Sequence, residues 1–134
     1  MREQSMYEFN LTLERPFESA LQRVRECLME EQLGIVSEVD VQAVFRAKLE
    51  KTIPPYRILG ACNPLLAERV IEEEPNAGAL LPCNLVVRAL DAERTQVSFM
   101  DPESVLSLSP SAPVRQVGRE AKEKLLRVAE RLGQ

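Results

Sequence analysis

Residues 85–100 read Leu-Val-Val-Arg-Ala-Leu-Asp-Ala-Glu-Arg-Thr-Gln-Val-Ser-Phe-Met, and this stretch decides the fold. Two short apolar runs, 85–90 and 95–100, flank Asp91-Ala92-Glu93-Arg94. Asp at the first position of a four-residue connection suits a type I turn, so the stretch predicts a β-hairpin. Val97 and Phe99 alternate with Gln96 and Ser98, the period of a strand with one buried and one wet face. Alternation of this kind favours an antiparallel sheet over a doubly covered parallel one.

Working outward, three more segments carry strand signals. In residues 6–13, Tyr7, Phe9, Leu11 and Leu13 alternate with Glu8, Asn10 and Thr12. Residues 35–39 and 56–61 supply the second and third strands, the latter delivered by Pro54-Pro55, which cannot continue a helix. Pro16 opens a helix with Phe17, Ala20, Leu21, Val24, Cys27 and Leu28 on one face. Gly34 is the expected left-handed stop.

Asp40 can cap a short helix carrying Val41, Val44, Phe45 and Leu49. Asn63-Pro64 places a capping side chain before proline at the first helical position, and Asp101-Pro102 repeats the signal. The helix over 65–74 ends at Pro75. Beyond Pro110 and Pro113, Val114, Val117, Ala121, Leu125, Val128 and Leu132 form the longest apolar stripe in the chain. Gly118 and Ala121 are small enough to let that helix lie close to a sheet.

These elements predict one domain over residues 1–134. It is an α+β two-layer sandwich, with a mainly antiparallel five-stranded sheet covered by two long helices. The two short intervening helices leave a parallel crossover arrangement as the alternative.

Composition narrows the function classes. Aromatic residues make up 4% of the chain and Trp is absent, so the core is aliphatic. A net charge of -4 and the lack of an aromatic stacking surface argue against a nucleic-acid partner. The acidic runs Glu30-Glu31 and Glu72-Glu73-Glu74 read as solvated faces.

No apolar stretch approaches the roughly 20 residues that span a bilayer, and Met1-Arg2-Glu3-Gln4-Ser5 does not begin a signal core. The expectation is a cytoplasmic protein with Cys27, Cys62 and Cys83 reduced. Cys27 lies on the first helix's apolar stripe and reads as a small core residue. Histidine is absent, which removes the usual neutral-pH base and rules out Ser-His-Asp and Cys-His chemistry within one chain.

Two segments are more specialised than a core requires: Tyr56-Arg57-Ile58-Leu59-Gly60-Ala61-Cys62-Asn63-Pro64, and Gly78-Ala79-Leu80-Leu81-Pro82-Cys83-Asn84-Leu85-Val86-Val87. Each sets a Cys-Asn pair at a strand end. With their spacing, these segments resemble the prokaryotic family catalogued as domain of unknown function 302, whose members carry similar GACNP and PCN runs. The likeness extends through Gly34-Ile35, Asp40-Val41 and Asp101-Pro102. The resemblance implies a strand, helix, four-strand, helix architecture, similar in outline to the TATA-binding-protein fold with added short helices. It implies no established activity, and likeness of fold does not carry DNA binding with it.

Cys62, Asn63, Cys83 and Asn84 are therefore the candidate site residues. If the third and fourth strands are antiparallel, Cys62 and Cys83 meet at one sheet edge with Cα atoms within about 10 Å, where a direct disulfide would require roughly 4.4–6.8 Å. Cys62 precedes a capped helix, whose dipole would lower its pKa and make it the better nucleophile. Against this, Cys62 shares strand parity with Tyr56 and Ile58, and Cys83 with Leu85 and Val87, so both could be packing residues on the core face. Asn63 reads as a cap, while Asn84 has no equally simple structural role.

Three functions follow. The first is a small-ligand-binding or interaction module with a cleft between sheet and helices near the Cys-Asn motifs. The second is a thiol-dependent redox or soft-metal protein using Cys62 and Cys83, with Cu(I) favoured over zinc. The third is a subunit that self-associates, for example as a homodimer, through an exposed strand or helix face.

Overall fold

The computed structural model describes residues 6–134; the leader reading of residues 1–5 lies outside them. The order is β1 (Glu8–Leu13), α1 (Phe17–Glu30), β2 (Gly34–Asp40), α2 (Val41–Leu49), β3 (Tyr56–Cys62) and α3 (Pro64–Glu73). A 3-10 segment (Pro75–Leu80), β4 (Cys83–Ala89), β5 (Thr95–Met100), α4 (Pro102–Leu106) and α5 (Ala112–Leu132) complete the chain. The five strands form one sheet in the order β1-β5-β4-β3-β2. Every neighbouring pair is antiparallel. The fold is thus α+β with an open antiparallel sheet, and no parallel crossover occurs among the described residues.

The hairpin forms as its sequence requires. Asp91 Oδ1 accepts from the Glu93 and Arg94 amides at 2.9 and 2.8 Å, closing the turn locally. Register then assigns faces. Phe9, Phe99, Leu85 and Leu59 form one row across four strands, and Leu11, Val97 and Val87 form the next. These rows are buried against α1 and α5. Phe9 and Phe99 stack with centroids 5.0 Å apart at 9°, a geometry that adds to their area burial. A second cluster, Val70, Ala77, Leu106, Val114 and Val117, joins α3, α4 and the start of α5.

Proline-preceding caps behave as expected. Asn63 Oδ1 accepts from the Leu65 and Leu66 amides, and Asp101 Oδ1 from those of Glu103 and Ser104. Asp40 caps α2 through the Ala43 amide.

Three expectations are corrected, and α2 stands apart from the core. The left-handed residue after α1 is Gln32 (φ 60), not Gly34, which opens β2. The Leu33 amide donates to Leu28 O at 2.9 Å, and Leu33 is buried with Leu28. That hydrophobic closure fixes the left-handed position one residue before Leu33.

Gly118 faces α4 rather than the sheet, with an added Cβ falling 2.7 Å from Pro102 O. Glu31 is not solvated. It is 7% exposed and is held by Arg127 at 2.8 Å and Arg131 at 3.2 Å. Its carboxyl lies below its ordinary pKa because Arg127 and then Arg131 donate to it, against the cost of burial. Finally, α2 contributes nothing to the core: none of its residues is buried among the described residues.

Candidate functional site

The antiparallel pairing of β3 and β4 brings the two motifs together. Ala61 is the partner of Cys83, and Gly60 that of Asn84. Partners across antiparallel strands sit about 4.5–5.5 Å apart and consecutive Cα atoms about 3.8 Å. Cys62 and Cys83 therefore have Cα atoms within about 10 Å.

Most of the motif has structural work. A Cβ on Gly60 would collide with Ser37 Oγ and lie 2.7 Å from Pro82 Cγ, so only glycine lets the PCN proline settle on β3. Asn63 caps α3 and also donates through Nδ2 to Gln32 O at 3.1 Å, tying the α1–β2 turn to the α3 start.

The thiols differ in setting. Cys83 is buried on the helix-covered face with Leu85 and Val87, while Cys62 is half-buried. Equal parity with core residues misleads here, because Tyr56 and Ile58 face the other side of the sheet from Leu85 and Val87. Burial pushes the Cys83 thiol up to about 12, with nearby Cys62 adding to the shift. Burial also raises Cys62. Cys62 thus stands above its ordinary value, not below it as the α3 dipole led us to expect.

Both cysteines line a cavity of about 20 Å³ walled by Leu33, Leu66, Leu106 and Val117. It has room for about one water. Among the described residues, no group of three or more Cys, Asp or Glu is placed to hold a metal.

The larger concavity lies on the sheet's other face. An open groove of about 550 Å³ crosses it, lined by Tyr7, Tyr56, Asn84, Val86, Arg88 and Gln96 among others. Register sets out three rows on this face. Thr12, Gln96, Arg88 and Tyr56 form the first; Asn10, Ser98, Val86, Ile58 and Val39 the second. Glu8 pairs with Met100, and Asn84 with Gly60 and through it Ser37, to make the third. All but Gly60 are partly or fully exposed, so this face is open to the surroundings.

Hydrogen bonds order the polar side chains across three strands. Arg88 donates to Gln96 at 2.6 Å, Gln96 to Asn10 at 3.3 Å, and Asn10 to Glu8 at 2.9 Å. Among the described residues no carboxylate lies within 4.0 Å of the Arg88 guanidinium, whereas Arg57, Arg69, Arg94 and Arg127 each have one. Of the sequence candidates only Asn84 reaches this groove; Cys62, Asn63 and Cys83 stand at the cavity behind the sheet. Glu8, Asn10, Gln96 and Ser98 were readable as the wet positions of alternating strands, whereas Tyr7 and Tyr56 fell on the apolar side of theirs, and nothing in the sequence marked these residues as one surface.

The chain matches the family described as Domain of unknown function DUF302 over residues 9–132. Its fold is similar to that in the crystal structure of an uncharacterized conserved DUF302 protein from Bacillus stearothermophilus. The TM-score is 0.85 at 23% identity, covering 96% of this chain and 99% of that one. No curated protein is significantly similar to it. Among the described residues no helix is long and apolar enough to cross a membrane. With 124 of 134 residues inside the match, counted inclusively from 9 to 132, the chain belongs to the DUF302 family.

Proposed function

We propose that the domain is a small-ligand-binding module whose site is the groove on the open sheet face. One juxtaposition supports this reading. Both tyrosines of an aromatic-poor chain, and an arginine without a carboxylate partner among the described residues, line a single concavity. Its volume falls within the range usual for small-molecule sites, and its mix of Val86, Met100 and tyrosine rings with a few ordered polar groups has the usual chemistry. The site therefore moves from between sheet and helices to the opposite face, and Asn84 is the motif residue that moves with it. The cavity beside Cys62 and Cys83 is too small for a ligand beyond water size.

Isotope-edited NMR with a panel of small aromatic and aliphatic fragments tests the reading. Amide shifts should concentrate at Asn84, Val86, Arg88, Gln96 and Ser98. Val86→Trp should fill the groove and remove them while circular dichroism stays unchanged. Shifts confined to residues around Leu66 and Leu106 would refute it.

A second reading, self-association, is favoured by a different observation. β2 is an unpaired edge among the described residues, with Val36 66% and Val39 45% exposed. Its neighbour α2 also leaves Val44 and Leu49 exposed. An open strand edge is a template for strand pairing. Sedimentation velocity should then show a dimer that Val39→Lys dissociates; a monomer at all concentrations would exclude it.

A further inference from the structure

We infer that the groove takes an aromatic carboxylate, with the carboxylate on Arg88 and the ring over Tyr56 and Val86; this rests on the groove reading above. Arg88 is held in place by its bond to Gln96 Oε1. A guanidinium has five N–H donors arranged in two-donor edges. Gln96 meets only one hydrogen of Nη2, so one complete two-donor edge remains whichever hydrogen that is. Such an edge matches a carboxylate bidentately.

The neighbours define the rest of the molecule. Tyr56 is the direct strand partner of Arg88, and Val86 lies two residues along β4. Facing side chains in such pairs are about 5 Å apart, so a ligand anchored at Arg88 lies against the Tyr56 ring. Flat aromatic bodies gain from offset stacking on such a ring.

Charge selects a monoanion. Arg88 is a single cation, and Glu8 lines the same groove. Glu8 sits two rows away and is linked to Arg88 through Asn10 and Gln96. It leaves the Arg88 end electropositive and disfavours the reverse orientation.

The probes are phenylacetate and its neutral isostere phenylacetamide, titrated into the full chain with amide shifts as the readout. Phenylacetate should bind the groove about ten-fold more tightly, the step expected when a neutral hydrogen bond becomes charge-assisted. In Arg88→Gln the two affinities should converge. Equal affinities in the wild type would overturn the carboxylate assignment and leave the groove reading standing. A preference that survives in Arg88→Gln would overturn the role of Arg88. Failure of both probes to shift the groove amides would refute both readings. The wild-type comparison of acid with amide needs no variant, so it holds whether or not Arg88→Gln folds.

Discussion

Gly118→Ala offers a test in which two physical effects oppose each other and the structure decides between them. Gly118 lies inside α5, where alanine is about 1 kcal/mol more favourable than glycine. Burying the added methyl would contribute about 0.8 kcal/mol more. A surface-helix argument therefore expects a gain approaching 2 kcal/mol. The packing against α4 says otherwise. The new Cβ would stand 2.7 Å from Pro102 O, 3.1 Å from Leu106 Cβ and 3.2 Å from Glu103 Cα, where carbon contacts prefer about 3.5–4.0 Å.

Two of those three atoms are backbone, so no rotamer change relieves them. Nor can α4 drift away freely. The fully buried Asp101, which caps it, is ion-paired at 2.9 Å to Lys122, one turn along the same α5. Leu106 is locked into the second cluster. Overpacking costs about 1–3 kcal/mol and more where nothing yields. The upper end applies here, so the net effect should be destabilisation by about 1 kcal/mol or more.

Urea unfolding at 25 °C followed by circular dichroism measures this directly, and a fall in Tm of about 3–4 °C should accompany it. Gly78→Ala, whose Cβ would meet nothing within 4 Å, is the control and should stay within about 0.5 kcal/mol of wild type. A Gly118→Ala variant as stable as wild type, or more so, would refute the close α4–α5 contact.

Three further outcomes are expected. Leu125→Ala, at a site 1% exposed in the main core, should cost about 2–5 kcal/mol in the same unfolding assay. Glu31 has a depressed folded-state pKa, so its contribution is complete above the unfolded-state value near 4.5 and is lost as pH falls through the folded value. Stability of Glu31→Gln should therefore decline less than wild type on acidification below about pH 4.5, and parallel curves would exclude the Arg127–Glu31–Arg131 cluster as a source of acid sensitivity. With both motif thiols raised in pKa by burial, iodoacetamide at neutral pH should label Cys83 only after unfolding and Cys62 slowly. Rapid labelling of Cys62 in the native protein would support the thiol reading instead.

The helix starts and the hairpin were legible because each rests on local chemistry: a capping oxygen before proline, or an aspartate closing its own turn. The same holds for the α1 and α5 stripes, whose apolar spacing specifies a buried face. Legibility failed where the cause is non-local. Gln32 takes the left-handed position because Leu33 must reach Leu28 in the core, a demand that outweighs the ease with which Gly34 would have adopted it. Glu31 looks like surface until α5, nearly a hundred residues later, places Arg127 and Arg131 over it. The short α2 carries apolar residues, yet none of them is buried, because its packing is chiefly against β3. For the candidate site, strand pairing of the two motifs was foreseeable, but which face each cysteine occupied depended on register.

That register also separates what the motifs build from what they expose. Gly60 admits Pro82, Ala61 pairs with Cys83, and Asn63 joins the α3 start to the α1–β2 turn; together they knot one end of the sheet. A residue committed to such a knot has little freedom to bind or react, and burial pushes both motif thiols away from the thiolate. Asn84 is the exception, since the same pairing that buries Cys83 turns its neighbour to the open face. In an antiparallel sheet each strand that supplies a core residue supplies an outward one beside it. With α1 and α5 both on one side, the outward residues of the five strands lie, among the described residues, on a face that those two helices do not cover. Polar alternation alone would make that face an even, wet surface. Two tyrosines and an arginine lacking a carboxylate partner among the described residues instead set aromatic rings beside a guanidinium, the local chemistry on which the proposed ligand site rests.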